Sequence, residues 1–377
     1  MSGQLEYMTH HSVAPLARLL KKYRTKHILI VTDNLAYTVS GAAEKYSTVL
    51  KPYHPVFFTD YTVNPKLPDI RRGLKLFHQN QINTVLAIGG GSAIDMAKLI
   101  AVFATSDKPI ESFVTGQNKL TEKYVPLIAI PTTAGSGSEA THFAVIYHRG
   151  QKYSISHSSL LPDAAIIDSS LTLSLSGYQT AVSGADALCQ AIESYWSVNS
   201  TPRSKTFSAR AIKLILKHLA PSVKKGQLID RTAMSQAAHL AGKAIDIAET
   251  TAPHALSYTL TLKYGIPHGQ AVTVFLPSFL DYNSTVTAHD NNDSRGPAYV
   301  QHTLKRLFNL LSAQDAAEAQ GHIKKLFRSI GLKTSLAELG IKSPQDIQKI
   351  SSNVNNQRLA NNPRAVTASS LLEIIKF

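Results

Sequence analysis

Four short apolar runs shape the first half of the chain: HILIVTD at 27–33, HPVFFTD at 54–60, NTVLAIGGGS at 83–92 and PLIAIPTTAGSGSEAT at 126–141. Each ends in a polar or glycine-rich turn, and amphipathic stretches such as PDIRRGLKLFHQNQ at 68–81 lie between them. That rhythm predicts a parallel sheet with helices on its faces. Ligands of such sheets bind beyond the carboxyl ends of the strands, so the turns matter most. From about Thr180 onward the pattern is helical, as at 204–223, 231–249, 303–314 and 317–331. The expected architecture is therefore an α/β N-terminal domain, residues 1–180, followed by an all-α C-terminal domain, residues 181–377. Two polar stretches, 283–299 and 351–366, read as loops, and no internal repeat or low-complexity segment is found.

Composition narrows the class. A chain of 377 residues has room for two or three domains, and 44% hydrophobic with 17% charged residues is ordinary for a soluble globular enzyme. Cys189 is the single cysteine, so no internal disulfide is possible, which suits a reducing cytoplasm. Residues 1–13 lack a basic region followed by an apolar core, and no apolar run reaches the ~18 residues of a membrane span. A cytoplasmic protein with no membrane partner is expected. The net charge of +14 invites a nucleic-acid reading, yet Lys and Arg are scattered and no basic helix carries interleaved aromatics. No nucleic-acid partner is expected. A positive field that draws in a small anionic substrate is the other use of such a charge.

Three constellations carry chemistry. In IGGGSAIDMAK, Ile88 ends a strand, Gly89, Gly90 and Gly91 turn, and a helix begins near Ser92. Three glycines let the backbone approach a pyrophosphate at a helix N-terminus, although the spacing is not that of the usual dinucleotide fingerprint. A tight turn without a ligand uses glycine as well. In PTTAGSGSEAT at 131–141, Thr132, Thr133, Ser136 and Ser138 offer hydroxyls and Gly135 and Gly137 bring the backbone close, which suits ribose, phosphate or nicotinamide contacts; alone it would pass for a surface loop. Asp33, at the end of another strand, is placed to accept from an adenosine ribose and to repel a 2′-phosphate, or simply to cap a helix.

The third constellation points to a metal. Asp186 and Gln190 stand four apart on a predicted helix and share one face. Histidine is the residue expected beside an acid at that spacing; here it is glutamine. His254 and His268 follow, fourteen apart, the second presented by a GIPHG turn. Two histidines alone would more often be core or surface residues. With Asp186 they form a sound ligand set for a divalent ion with one open position.

At this point the residues carry a resemblance. GGGSAIDMAK, PTTAGSGSEAT, LLPDAAIID, SGADALCQAIESY, HALSYTLTLKYGIPHG and NNPR, in that order, resemble the iron-containing (group III) alcohol dehydrogenase family with its dehydroquinate synthase-like fold. The family implies a nucleotide-binding α/β domain, an all-helical domain and a metal in the cleft between them, commonly in a homodimer. By that resemblance Gly89, Gly90, Gly91 and Ser92, with Asp95 in the same segment, would hold the pyrophosphate. Thr132 and Thr133 would line the nicotinamide side, and Lys152 would touch the ribose. Asp186, Gln190, His254 and His268 fall on the four metal-ligand positions. The family usually has His where this chain has Gln190, and a further active-site His where it has Tyr258. Related glycerol dehydrogenases rely on one Asp and two His for zinc, so three ligands suffice there. A glutamine amide oxygen is harder than imidazole, which moves the expected ion from strict Fe²⁺ toward Zn²⁺ or an exchangeable metal.

Segments 140–154, 186–200 and 241–258 are similar to the phosphonoacetaldehyde-reducing branch of that family, in which the Gln and Tyr departures are the rule. Lys243, in the small and apolar setting AHLAGKAI, is a candidate point charge for a phosphonate, or else a solvent-facing helix residue. His142 is a second candidate. The expected reaction is the reduction of a small anionic aldehyde by NADH, favoured over NADPH, with a divalent Fe²⁺ or Zn²⁺ and Tyr258 as a proton relay. A general alcohol dehydrogenase of the same family, or a catalytically silent nucleotide binder, is the alternative.

Overall fold

The computed structural model describes residues 3–120, 125–149, 151–352, 354 and 356–375, and the chain divides into two compact units between Leu175 and Ser176. The first contains strands β1 (Leu5–Met8), β2 (Ile28–Thr32), β3 (Val56–Phe58), β4 (Thr84–Gly89), β5 (Leu127–Pro131), β6 (Phe143–His148), β7 (Gln151–Ser156) and β8 (Ala164–Ile167). Its helices are α1 (Val13–Lys22), α2 (Asn34–Val39), α3 (Ala42–Leu50), α4 (Leu67–Gln79), α5 (Gly91–Phe103) and α6 (Ile110–Val114).

Six strands form one sheet in the order β1-β8-β5-β4-β2-β3, and every pairing in it is parallel. The expected α/β architecture is present. Parallel strands carry helices on both faces, which is why β2, β4, β5 and β8 are buried at every position and read as unbroken apolar runs. Successive side chains leave a strand on opposite faces. Leu29, Val31, Val85, Ala87, Leu127 and Ala129 accordingly pack with α4, α5 and α6 in one core. Ile28, Ile30, Leu86, Ile88, Ile128 and Ile130 pack with α1 and α3 in the other.

Four strands fall outside the four apolar runs. β1 is a four-residue edge strand whose partner, β8, lies far along the chain, so its pairing leaves no local pattern. β8 itself is the apolar part of the LLPDAAIID segment. β6 and β7 form a separate antiparallel pair, Phe143 opposite Ser156 through His148 opposite Gln151.

The second unit is helical among its described residues: α7 (Gly177–Trp196), α8 (Pro202–Lys224), α9 (Leu228–Ala248), α10 (Ala252–Tyr264), α11 (His268–Thr273), α12 (Leu276–Ser284), α13 (Pro297–Leu310), α14 (Ala316–Ser329), α15 (Pro344–Ser352), α16 (Asn356–Ala360) and α17 (Ala368–Ile375). Capping boxes start α7, through Ser176 and Gln179, and α8, through Thr201 and Ser204. α7 is rich in alanine and buried along most of its length, so α8 and α9 pack closely on it. The stretch 283–299 is irregular from Thr285 to Gly296, as expected. The stretch 351–366 departs from expectation: it contains the end of α15 and the whole of α16, with residues 353 and 355 outside the described set. Tertiary bonds from Arg358 and Asn361 to Glu249 hold this polar segment, and local sequence does not reveal them.

At the carboxyl end of β8, Asp168 is 1% exposed and ties α1 and α3 to the sheet. Its carboxylate accepts from Ser12 Oγ, from Lys45 Nζ at 2.6 Å and from Ser170 Oγ at 2.6 Å. Burial raises its pKa, but these donors together outweigh burial and hold it below the usual aspartate value. The stabilisation is then complete above the unfolded pKa of ~4 and is lost as pH falls through the lower folded value. Asp168→Asn is expected to cost about 1–3 kcal/mol near neutral pH. The gap from wild type should close in acid, as measured by denaturant unfolding at a series of pH values. A gap that stays constant into acid would contradict this role for the charge.

Candidate nucleotide and metal sites

The order of the parallel strands locates the first site. From β2 the chain steps outward to β3, then returns to place β4 on the other side of β2 and continues through β5 to β8. The direction therefore reverses between β2 and β4, and the crevice beyond their carboxyl ends is where open parallel sheets bind ligands. Asp33 follows β2 and Gly90 follows β4.

α5 starts at Gly91 without a side-chain cap and without an acid in its first turn. Its first N–H groups have no partner inside the helix and form a natural anion seat. The hydroxyl turn after β5 abuts it. A Cβ on Gly91 would stand 2.7 Å from Ser136 Oγ, so only glycine lets the two turns meet, and Thr132 N donates to Gly89 O at 3.0 Å. Thr133 lies beside Gly90, and Ser92 Oγ accepts from Asn64 N at 3.2 Å. Asp33 is exposed and caps α2 by accepting from Ala36 N at 2.8 Å.

Asp95 lies one turn into α5 and anchors the second turn instead of facing solvent: its carboxylate accepts from Ser138 Oγ and from Val145 N at 3.0 Å. Burial raises its pKa, opposed by the nearby charges of Lys98 and Lys152. Lys152 lies on β7, opposite Tyr147 in the β6–β7 pair. His142 immediately precedes β6; its ring meets Phe143 edge-on at 6.0 Å, and its carbonyl accepts from His157 N.

The second site belongs to the helical unit. α7 carries Asp186 and Gln190 one turn apart, α10 carries His254 in its first turn, and α11 begins at His268. Ligand atoms of Asp186, His254 and His268 all lie within 4.8 Å of one another. His254 Nε2 is 3.3 Å and His268 Nε2 3.9 Å from Asp186 Oδ1, and the two imidazole centroids are 5.3 Å apart. Gly269 makes this possible, since a Cβ there would stand 2.1 Å from the Val182 carbonyl oxygen of α7. Gln190 Nε2 donates to Asp186 Oδ2 at 3.2 Å, and its buried Oε1 has no hydrogen-bond partner. An orphaned buried oxygen costs free energy unless something satisfies it. Burial opposes a charge on His254, yet Glu193 and Asp186 push its pKa up to about 9. The place attracts positive charge, and its oxygen and nitrogen donors suit a divalent cation.

Two residues near this group escaped the sequence reading. Glu193, fully buried on α7, touches His254 Nδ1 through Oε1. Its spacing of seven from Asp186 and three from Gln190 was the available signal. Arg358, buried on α16, pairs with Glu249 Oε2 at 2.9 Å and faces the Tyr258 hydroxyl. Glu249 joins α9 to α10 with φ at 59°, a left-handed conformation that is unusual for a residue other than glycine; the Arg358 and Asn361 bonds hold it there. The Tyr258 ring stacks on His268 at 5.9 Å, with its hydroxyl pKa raised first by burial. Lys243, on α9, stands over the Phe207 ring of α8 at 5.1 Å. So Asp186, Gln190, His254, His268 and Tyr258 come together in one cluster, and the glycine turn meets the hydroxyl turn in the other unit.

A glycine-rich turn at a sheet reversal and a carboxylate–imidazole trio in a helical unit are the marks of a dinucleotide- and metal-using oxidoreductase. Comparison with known proteins gives the family. Residues 7–169 match the model of "Iron-containing alcohol dehydrogenase", residues 180–377 match "Fe-containing alcohol dehydrogenase family, C-terminal", and the chain belongs to that family. It is an alcohol dehydrogenase or aldehyde reductase of a family that uses NAD and a metal. The chain is 36% identical to long-chain-alcohol dehydrogenase 1 of Geobacillus thermodenitrificans, over 70% of this chain and 68% of the relative. It is 33% identical to phosphonoacetaldehyde reductase of Streptomyces viridochromogenes, over 77% of this chain and 75% of the relative. The crystal structure of sulfoacetaldehyde reductase from Bifidobacterium kashiwanohense, in complex with NAD⁺, superposes with a TM-score of 0.88 at 28% identity, covering 99% of this chain and 96% of that one. Among the described residues no helix is long and apolar enough to cross a membrane.

Two predictions test the roles expected of these residues. Asp33→Gly should move the ratio of NADH to NADPH efficiency toward NADPH on the order of tenfold, the size of one charge repulsion near a protein surface. Helix capping tolerates glycine at a cost of only a few tenths of a kcal/mol, so cofactor choice should change with little effect on stability. A wild type that uses both cofactors equally would remove this role. For the metal, His268→Ala is expected to abolish retention of a divalent ion through gel filtration, while Gln190→Ala weakens it less, since an amide is a poorer ligand. Elemental analysis of both purified variants checks this; a fully loaded His268→Ala protein would contradict it.

Proposed function

We propose that the chain reduces a small aldehyde bearing an anionic group, phosphonoacetaldehyde to 2-hydroxyethylphosphonate being the reaction the observations favour, with NADH preferred to NADPH. The observation that carries this reading is the pair of likenesses to reductases of phosphonoacetaldehyde and of sulfoacetaldehyde, two aldehydes with an acidic oxyanion at the end opposite the carbonyl. The net charge of +14 fits an anionic substrate. The 36% identity to a long-chain-alcohol dehydrogenase favours the broader alternative, a general alcohol dehydrogenase. Rates with phosphonoacetaldehyde and with propanal, followed by NADH loss, separate the two; no turnover with either would favour a silent nucleotide binder.

In this reading the N-terminal domain, 1–180, holds the dinucleotide and the C-terminal domain, 181–377, holds the metal, in a homodimeric cytoplasmic enzyme. Gly89, Gly90, Gly91 and Ser92 receive the pyrophosphate, Thr132 and Thr133 the nicotinamide side, and Asp33 and Lys152 the ribose. Asp95 keeps the hydroxyl turn in place through Ser138. Asp186, His254 and His268 would hold a divalent ion, Fe²⁺ or Zn²⁺, with Gln190 Oε1 as a further oxygen. The ion supplies Lewis acidity to the aldehyde oxygen, and the nicotinamide supplies the hydride. The protein's own part is to place the carbonyl and return a proton. Tyr258, stacked on His268 with Arg358 at its hydroxyl, relays that proton to the product oxygen. Lys243 and His142 bind the anionic end.

Lys243→Met keeps the stem and removes the charge. With phosphonoacetaldehyde it is expected to cost roughly 2–4 kcal/mol, the range for removing one partner of a buried charge pair. That corresponds to a fall on the order of 30- to 1000-fold in kcat/KM. Turnover of a neutral aldehyde of similar length should hardly change. The ratio of the two kcat/KM values is the measurement; an unchanged ratio would remove Lys243 as the group that reads the anion.

A further inference from the structure

We infer that Glu193 is the positioning residue of the metal site: it fixes the tautomer of His254 so that Nε2 is presented to the cation, and it adds a second negative charge beside the cation to that of Asp186. The inference rests on the reading of Asp186, His254 and His268 as the cation-holding group.

The geometry comes from one face of one helix. Asp186, Gln190 and Glu193 occupy positions i, i+4 and i+7 of α7, and all three are buried. Asp186 meets His254 from the Nε2 side at 3.3 Å, and Glu193 Oε1 meets Nδ1 on the opposite side of the same ring. A carboxylate in contact with Nδ1 accepts a proton from it. The neutral imidazole then carries its hydrogen on Nδ1 and its lone pair on Nε2, toward Asp186 and His268. The other carboxylate oxygen, Oε2, accepts from Thr251 N at 2.8 Å and from Thr251 Oγ1 at 3.0 Å. It also lies 3.4 Å from His254 N. These are donors at the start of α10, the helix that delivers His254. Thr251 Oγ1 in turn accepts from Trp196 Nε1 at 3.0 Å, so a buried chain of bonds fixes the carboxylate itself.

Charge adds a second line of support. Glu193 is 0% exposed, and the partners shown for it are Thr251 and His254, neither of which is a permanent cation. Even a charged His254 brings only one positive charge to the two carboxylates that flank it. Asp186 and Glu193 flank one imidazole with two negative charges, and one divalent ion on the Nε2 side balances both. Burying a glutamate here thus makes sense for a site that is filled by a cation.

The contact with Thr251 also gives Glu193 a purely structural use, the capping of α10, and the test separates the two. Glu193→Gln retains an amide oxygen for Thr251 N but turns an N–H₂ toward His254 Nδ1, which moves the imidazole hydrogen to Nε2. The metal-free full-length protein is titrated with Zn²⁺ against a chromophoric chelator and with Co²⁺ by its visible absorption, and its thermal midpoint is measured in parallel. Glu193→Gln should bind Zn²⁺ about 10- to 100-fold more weakly, the usual cost of losing a ligand's supporting partner. Thr251→Val, which removes one bond to Oε2 and leaves the His254 contact, should lower the midpoint and change Zn²⁺ affinity much less. Nitrogen NMR of His254 in the Zn²⁺-loaded wild type should show the hydrogen on Nδ1 and the metal on Nε2. Equal Zn²⁺ affinity in wild type and Glu193→Gln would overturn the inference, as would a variant that only loses stability. A wild type that binds neither Zn²⁺ nor Co²⁺ would instead overturn the metal reading beneath it.

Discussion

The buried polar stripe on α7 is the constraint on which the helical unit depends. Asp186, Gln190 and Glu193 put two carboxylates and an amide inside an otherwise apolar, alanine-rich helix. Such groups are tolerated only where partners meet them. The partners arrive from α10 and α11, whose first turns bring His254 and His268 to the stripe. Small residues make the approach possible: α11 reaches α7 because Gly269 has no Cβ, and α8 and α9 close on α7 over Gly184, where a Cβ would stand 2.3 Å from Leu219 Cδ1. Packing and polar satisfaction thus select the same arrangement, and what remains unsatisfied, Gln190 Oε1, lies in the cluster suited to a cation.

The sheet unit works by a different rule. Its central strands are buried on both faces and contribute only a rigid floor. Chemistry is left to the turns at their carboxyl ends, where the reversal of strand order opens a crevice. Glycine at 91 brings a helix N-terminus and a hydroxyl turn into contact, and Asp95 and Ser138 then lock the two turns together.

Much of this was legible in the residues. The apolar runs marked β2, β4 and β5 directly because these parallel strands are buried on both faces, and β3 at the sheet edge through its run of apolar residues. The helix spacing of Asp186 and Gln190 placed both on α7. The pairing of these residues with His254 and His268, across long stretches of chain, came from the family resemblance; spacing alone is a weak signal at that distance. The strands β1 and β6–β7 escaped because pairing between short, half-exposed strands leaves little periodicity. Glu193 escaped because a lone glutamate in a helix ordinarily faces water, and only the fold shows that position to be fully buried. Arg358 lay in a polar stretch that resembles a loop, and its ion pair with Glu249 depends on a contact 109 positions away (358 − 249).

In the proposed reaction the Asp186–His254–His268 cluster must carry a divalent ion for an aldehyde to be reduced. The most direct measurement strips the protein with a chelator and follows NADH loss with phosphonoacetaldehyde while Zn²⁺ or Fe²⁺ is returned in small steps. Turnover should be absent in the stripped protein and rise in proportion to added metal until one equivalent per chain is bound. A stripped protein that reduces the aldehyde at the full rate, with no response to added metal, would contradict this requirement.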